Sequence, residues 1–243
     1  MFQKDFTSFQ EGIRRFQTAL DGIPDRVPVY AQLHEFAIKN NEKISMKIPA
    51  KGQCYQMMGE MKMMDHIVVH SLQVCRVATF LTDHLNKHQY QLNHDQIRAA
   101  ALLHDITKTR SFKTREDHAL TGGNYLSDLG YPEIGNLIRQ HVKLDTYSED
   151  GTISEAAVLN YADKRVMHDE IVDLDRRMDY IMERYAQTPV DRERIKMLWQ
   201  KTKEIENKLF KDLSFVPDDL TRLVPHNGYR TELRKYQKLT DQI

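Results

Sequence analysis

A run of apolar residues in the middle of the chain ends directly in a histidine–aspartate pair. Residues 97–103 include Ala-Ala-Ala-Leu-Leu, and His104-Asp105 follow without a break. Such a run predicts a buried helix, and the pair then leaves the helix while it is still close to the core. Taking an unpaired carboxylate out of water is costly. Asp105 therefore needs a positively charged partner, and a divalent cation with His104 as co-ligand would provide one.

Further imidazole and carboxylate side chains occur on the helices predicted around this pair. The candidates for a shared site are His70, His118, His141 and Asp163. With His104 and Asp105 they offer nitrogen and oxygen ligands, a set that suits Mn, Fe, Co, Ni or Zn better than Ca or Mg alone. One carboxylate able to bridge, with ligands enough for two ions, predicts a binuclear centre of divalent transition metals.

The remainder of the chain is also predicted to be helical. Apolar residues recur at three- and four-residue spacing, proline and glycine are scarce, and no strand-like alternation is found, so the predicted fold class is all-α. We divide the chain into an N-terminal helical extension (1–52), a central domain (53–188) and a C-terminal helical tail (189–243). The extension is predicted to contain helices over 2–20 and 29–39.

Composition excludes several classes of partner. The 35 basic residues balance 35 acidic ones, which argues against nucleic acid as a partner. No apolar run approaches the roughly 20 residues of a membrane span, and the first residues lack the apolar core of a secretory signal. Two cysteines do not indicate a disulfide framework. We expect a cytoplasmic protein with no membrane partner, in which the flanking helices either cover the central domain or form a homodimer contact.

Five segments resemble, in order, the metal-ligand segments of the HD-domain superfamily. They are residues 70–78 (HSLQVCRVA), 97–108 (IRAAALLHDITK), 118–126 (HALTGGNYL), 138–141 (IRQH) and 158–164 (VLNYADK). The third is similar to the corresponding helix of the HDIG-type branch. Thr107 departs from the pattern, since the commonest version of the motif has glycine or alanine there. The resemblance covers about residues 55–185 and implies an HD-domain helical bundle with flanking N- and C-terminal helices.

The resemblance also implies a role for each candidate ligand. In this family the histidine of the first helix, the His-Asp pair and the final aspartate bind one metal ion, and members with two further histidines bind a second. The first set corresponds here to His70, His104, Asp105 and Asp163, and the second pair to His118 and His141. His66 lies one turn before His70 but is not expected to be a ligand.

For activity, the resemblance implies hydrolysis of a phosphate ester by a metal-activated water, with Asp105 as the bridging ligand. If the helix that carries His104 continues, Lys108 lies on the same face and is predicted to contact a substrate phosphate or the metal-bound oxygen. Three further cations follow and are predicted to bind the phosphates of a nucleotide or polyphosphate, although a solvated basic loop is equally compatible. They are Arg110, Lys113 and Arg115. Lys164 and Arg165 are further, weaker candidates.

Three functions remain open on these residues. The first is a phosphohydrolase acting on a nucleotide or dinucleoside polyphosphate. The second is a mixed-valent di-iron oxygenase, because some HD proteins use the same six ligands to cleave C–C or C–P bonds. The third is a non-catalytic HD module that signals through its flanking helices. Bound iron with oxygen-dependent turnover would favour the second, and full metal occupancy without hydrolysis the third.

Overall fold

A computed structural model describes residues 47–88, 90–145 and 152–241 of the chain. The helices predicted over 2–20 and 29–39 lie outside the described residues. Within the described residues, regular structure is helical apart from one small hairpin, and the predicted all-α class is confirmed. No helix in this part of the chain is both long enough and apolar enough to cross a membrane.

The secondary structure elements follow one another with short connections. The helices are α1 (Lys51–Glu60), α2 (Asp65–Lys87), α3 (His94–Leu103), α4 (Lys108–Thr114), α5 (His118–Asp128), α6 (Pro132–Arg139), α7 (Glu155–Lys164), α8 (Leu174–Tyr185), α9 (Pro189–Phe210), α10 (Leu220–Leu223) and α11 (Tyr229–Thr240). Two 3₁₀ turns, Pro217–Asp219 and His226–Gly228, flank α10.

A two-stranded hairpin joins α7 to α8. Strands β1 (Val166–Met167) and β2 (Glu170–Ile171) pair antiparallel, with Val166 opposite Ile171. The sequence analysis missed this hairpin because two-residue strands are too short to show a polar–apolar alternation. His168 at its turn has a left-handed backbone, with φ of 58°. The hairpin therefore reverses the chain sharply directly after the last helix of the candidate metal site.

The longest described helix, α2, packs against α3, α7 and α11. Ile67, Val74, Leu81 and Leu85 are buried, and their four- and seven-residue spacing places them on one side of the helix. His70 is three residues after Ile67 and four before Val74, so it shares this buried side. Burial of the imidazole is thus dictated by the apolar residues around it.

Helices α5 and α6 form a close antiparallel pair. A Cβ atom built on Gly123 would lie 2.7 Å from the backbone carbonyl oxygen of Gly135, so neither position has room for a side chain. The connection between the helices is short, and Gly130 within it has φ of 84°. Because the helices are antiparallel, the start of α5 and the end of α6 lie side by side. His118 and His141 are located at these two ends.

The C-terminal part of the chain packs onto the central helices. Helix α9 contacts α7, and α11 contacts α1 and α2. The buried apolar residues of this part are Trp199, Ile205, Leu209, Leu220, Val224, Tyr229 and Tyr236. The Arg165 guanidinium is buried and donates hydrogen bonds to Tyr161, Glu206 and the carbonyl oxygens of Val172 and Pro217. Lys47–Ile243 accordingly form one compact unit.

Candidate metal centre

Six side chains from five parts of the bundle converge at one place, which we call the candidate metal centre. Helices α2, α5 and α7 and the segment after α6 contribute one side chain each, and the turn after α3 contributes two. They are His70, His104, Asp105, His118, His141 and Asp163. The structure therefore brings together all the residues that the sequence analysis named as metal ligands.

The first half of the centre lies around Asp163. Its Oδ1 is 3.1 Å from Nε2 of His70 and 3.5 Å from Nε2 of His104. Nε2 of His104 is also 3.4 Å from Oδ2 of Asp105. One ligand atom from each of His70, His104 and Asp163 lies within 4.8 Å of the others, a spacing that could hold a metal ion.

The second half lies on the other oxygen of Asp105. Its Oδ1 is 3.2 Å from Nε2 of His118 and 3.6 Å from Nε2 of His141, and these two nitrogens are 3.2 Å apart. Asp105 thus directs one carboxylate oxygen towards each half of the centre. A carboxylate in this position has the geometry that a bridging ligand requires.

Backbone carbonyls fix the orientation of three of the imidazole rings. Nδ1 of His104 lies 2.9 Å from the carbonyl oxygen of Ala101. Nδ1 of His141 lies 2.7 Å from the carbonyl oxygen of Ile138. Nδ1 of His70 is 3.2 Å from the carbonyl oxygen of His168 in the β1–β2 turn. Because Nδ1 must donate in each contact, the neutral rings carry their proton there. Their unprotonated Nε2 atoms then face the centre, which is the arrangement of metal-binding histidines.

The centre leaves buried polar atoms without hydrogen bonds. Nε2 of His104 and Oδ1 of Asp105 are buried and have no hydrogen-bond partner among the described residues. Buried polar groups are nearly always paired, so each orphan requires an explanation. An unprotonated nitrogen beside two carboxylates places acceptors against acceptors, and a bound cation would satisfy all of them. The residues therefore fit a metal ion.

The pKa values of the buried groups reflect the same crowding of charge. Burial raises the pKa of Asp105, but the charges of Lys108 and His104 outweigh it and hold the pKa well below its usual range. Burial lowers the pKa of His104, yet Asp105 and Asp163 raise it to about 10. His141 is driven to a pKa of about 3, first by burial and then by His104. The two carboxylates thus favour a positive charge at this place, which a bound cation would supply.

Lys108 touches the centre, although not in the way the sequence analysis expected. Helix α3 ends at Leu103, and the chain turns before α4 begins at Lys108, so the helix does not continue as assumed. Lys108 is the first residue of α4, and its Nζ lies 2.7 Å from Oδ2 of Asp105. Its side chain keeps 26% of its surface exposed, so the ammonium lies at the edge of the centre.

The three other cations predicted to bind phosphate are not drawn into the centre. The Arg110 side chain pairs with Glu116 at 2.6 Å. Lys113 and Arg115 are exposed, and their side chains make no hydrogen bond or ion pair with the described residues. Arg115 ends α4 in the left-handed conformation, with φ of 63°. His66, predicted not to be a ligand, is exposed on α2.

Two buried residues of α7 support His141 from behind. Nζ of Lys164 donates to the His141 carbonyl oxygen at 2.9 Å, and Nδ2 of Asn160 donates to the same oxygen at 2.9 Å. Burial, partly offset by Asp163, lowers the pKa of Lys164 to about 8. Of the two weaker phosphate candidates, Lys164 is therefore committed to a backbone carbonyl, and Arg165 to its buried hydrogen bonds. The four-residue spacing of Asn160 and Lys164 was the only sequence signal of this support.

Thr107 supports His118 in a similar way. Its hydroxyl donates to the His118 carbonyl oxygen at 2.9 Å and lies 3.0 Å from the Thr121 hydroxyl. A glycine or alanine could not make either contact. The departure from the commonest HD motif thus adds a hydrogen bond at the first residue of α5.

Comparison with known proteins identifies the family of this region. The family model described as HD domain matches residues 67–167, a range that contains all six residues of the candidate metal centre. Searches of curated proteins and of solved structures gave no match. The helical fold, the order of the converging residues and the family match agree, and residues 67–167 form a domain of the HD-domain superfamily.

Proposed function

We propose that the protein is a metal-dependent phosphohydrolase whose six converging side chains hold two divalent transition metal ions. The observation that carries the proposal is the pair of orphaned atoms, His104 Nε2 and Asp105 Oδ1, buried where carboxylates and imidazoles meet. HD domains as a family are metal-dependent hydrolases, and this chain has the His/Asp groups for a metal.

The ligands divide into two sets in the proposed centre. One ion would be held by His70, His104, Asp105 and Asp163, and the other by Asp105, His118 and His141. Mn, Fe, Co, Ni and Zn all suit imidazole and carboxylate ligands. When bound, such ions lower the pKa of a coordinated water from about 16 to as low as about 7 and hold phosphate oxygens.

The protein's own catalytic groups are Asp105 and Lys108. Asp105 orders both halves of the centre, because each of its oxygens faces a different set of nitrogens. Burial lowers the pKa of Lys108, but the charges of Asp105 and Asp163 outweigh burial and leave the pKa above its usual value. The amine therefore stays protonated at neutral pH. Its partly exposed ammonium is placed to donate to a phosphate oxygen of the substrate or to the attacking oxygen.

The substrate that we propose is a nucleotide or a dinucleoside polyphosphate. Arg110, Lys113 and Arg115 follow Lys108 on or directly after α4, and the exposed Lys113 and Arg115 are available for phosphates beyond the one that is cleaved.

The two cysteines, Cys54 and Cys75, are free and buried, which supports a cytoplasmic location. A homodimer contact through the flanking helices remains part of the proposal.

The first test is elemental analysis together with turnover on a panel of phosphate esters, with and without oxygen. We expect about two transition metal ions per chain and phosphate release that does not need oxygen. Iron with oxygen-dependent turnover and no phosphate release would replace the hydrolase with the oxygenase. Full occupancy without any turnover would instead indicate a non-catalytic module.

A pair of substitutions on α2 makes this test specific. His70→Asn removes a proposed ligand, and we expect it to lower both metal content and phosphate release at least tenfold. His66→Asn, one turn earlier and exposed, is the matched control and should change neither. Equal effects of the two substitutions, or no loss of metal in His70→Asn, would contradict the proposed ligand set.

A further inference from the structure

Helix α8 presents a separate arginine–tyrosine surface beside the candidate metal centre. At 100° per residue the helix divides into three faces. Leu174, Met178 and Ile181 pack on the core, and Asp175, Asp179 and Glu183 form an acidic face. Arg177, Tyr180 and Arg184 form the third face, and Tyr185 adjoins it at the end of the helix; we call these four residues the Arg–Tyr surface.

The members of this surface are held together by cation–π contacts. The guanidinium carbon of Arg177 lies 5.5 Å from the Tyr180 ring centre. That of Arg184 lies 6.0 Å from the Tyr180 ring and 5.8 Å from the Tyr185 ring. Aromatic rings and guanidinium groups arranged in this way can stack a planar base and bind an anion at once.

A chain of contacts places the Arg–Tyr surface next to the centre. The His168 ring packs edge-on against Tyr180 with 5.3 Å between the ring centres, and the carbonyl oxygen of the same His168 orients His70. Arg177 and Arg184 contact the same Tyr180 ring through their guanidinium groups. The surface is therefore joined to a proposed metal ligand through Tyr180 and His168.

Among the residues that the structure describes, Arg177 has no anionic partner. Its Nε is buried without a hydrogen bond, and its guanidinium makes no ion pair with the described residues. The neighbouring Arg176, by contrast, pairs with Glu170 at 3.2 Å on the exposed side of the helix. A partly desolvated guanidinium without an acceptor is costly, and a bound anion would relieve that cost. Tyr185 keeps 52% of its surface exposed, so one side of its ring is free to stack.

We propose that the Arg–Tyr surface binds the part of the substrate beyond the scissile phosphate, with Arg177 on a phosphate oxygen and Tyr185 stacked on an aromatic base. This inference rests on the proposed function and sharpens it. It assigns recognition of the base to α8. A substrate that combines a planar base with more than one phosphate group would satisfy both residues.

The test is a binding measurement that needs no turnover. The full-length protein, saturated with Mn²⁺, is titrated calorimetrically with α,β-methylene-ADP, which resists hydrolysis between its phosphates, and with methylenediphosphonate, which lacks the base. We expect Arg177→Gln to weaken both ligands about tenfold or more, as loss of a charged hydrogen bond does. Tyr185→Leu should weaken α,β-methylene-ADP about fivefold or more and leave methylenediphosphonate unchanged.

Arg176→Gln is the matched control, because it removes the same charge one residue away, and it should bind both ligands like the wild type. Arg177→Lys keeps the charge and should lie between the wild type and Arg177→Gln. Thermal unfolding and metal content are measured for each variant. If Arg177→Gln does not fold, the exposed Tyr185→Leu and the conservative Arg177→Lys still decide the outcome.

The inference is overturned if Arg177→Gln binds within twofold of the wild type, if Arg176→Gln loses as much affinity, or if the wild type does not prefer the ligand with a base. Its failure is distinct from failure of the proposed function. Hydrolysis of the ester panel with unchanged binding by the α8 variants would remove only the inference. The expected binding pattern without any hydrolysis would remove only the phosphohydrolase.

Discussion

The Lys164 ammonium donates a hydrogen bond of 2.9 Å to the backbone carbonyl oxygen of His141. Lys164 follows Asp163, a proposed ligand of the first half of the centre. Its hydrogen bond fixes the backbone of His141, a proposed ligand of the second half. This contact couples α7 to the segment after α6. It also explains how a buried lysine is tolerated, because its amine has carbonyl acceptors at His141 and Asn160.

Replacing this lysine should loosen the second half of the centre. We expect Lys164→Met to lower the affinity for the second metal ion about 10- to 100-fold, as loss of a group that orients a ligand does. Metal titration followed by elemental analysis measures the change. Lys196→Met, an exposed lysine paired with Glu193, is the control. Two tightly bound ions in Lys164→Met would show that the contact does not position His141.

The closeness of α5 and α6 should make their two facing glycines intolerant of any side chain. Gly123→Ala would force a Cβ against the backbone of Gly135, so we expect a loss of about 2 to 4 kcal/mol in the free energy of unfolding. Denaturant unfolding of the metal-free protein measures it. Gly52→Ala is the matched control on α1, since its Cβ would meet only Leu239 Cδ1 at 3.9 Å. That variant should be neutral or stabilised by up to about 1 kcal/mol.

The Thr107 hydroxyl should stabilise the start of α5. Thr107→Val keeps the shape of the side chain but removes the donor to the His118 carbonyl oxygen, and we expect a loss of about 1 to 2 kcal/mol. Thermal unfolding of the metal-free protein measures the loss. Thr114→Val, at the exposed end of α4, serves as the reference. A Thr107→Val variant as stable as this reference would mean that the His118 carbonyl is adequately paired without the threonine.

Acid should weaken the contact that Glu232 of α11 makes with α1. Burial raises the pKa of Glu232, but the Lys51 and Tyr55 hydrogen bonds outweigh it and lower the pKa from 4.5 to about 2. Because the native pKa is the lower one, the stabilisation is complete above pH 4.5 and is lost as the pH falls towards 2. We expect about 1 to 2 kcal/mol, allowing for partial exposure. Glu232→Gln should be less stable at pH 6 and show a shallower loss in acid than the wild type.

The comparison for this prediction is Glu193→Gln, an exposed glutamate on α9. Its unfolding free energy should follow the wild type between pH 6 and pH 3. If Glu232→Gln also follows the wild type over that range, the hydrogen bonds of Glu232 do not contribute to the acid dependence.

The helices and the six converging residues could be predicted from the sequence, for different reasons. Apolar spacing reports which side of a helix is buried, so α2, α3 and α9 were accessible to simple periodicity. The convergence of His70, His118 and Asp163 on His104-Asp105 was not, because their positions in space depend on how the helices pack. There the prediction depended on a family resemblance.

Residues that act through the main chain escaped prediction. Asn160 donates to the carbonyl oxygen of His141, and the carbonyl oxygen of His168 contacts the His70 ring. Every residue type has a backbone carbonyl, so the sequence does not show which carbonyls make such contacts. Lys108 lies beside the centre as predicted, but the reason for the prediction was wrong, because the expected continuous helix ends at Leu103. Apolar spacing does not show where a helix ends, and here Lys108 pairs with Asp105 across the break between α3 and α4.

The buried Arg165 extends the folding unit well beyond the HD-domain match. Its guanidinium reaches acceptors on Glu206 and Pro217, which lie about 40 and 50 residues past the end of the match at 167. A fragment cut at the family boundaries would keep every proposed metal ligand but leave this cation buried without its distant acceptors. It would also expose the apolar surface that Trp199, Ile205 and Leu209 cover. We therefore expect a stable fragment of this protein to extend at least to Pro217, the most distant acceptor of Arg165.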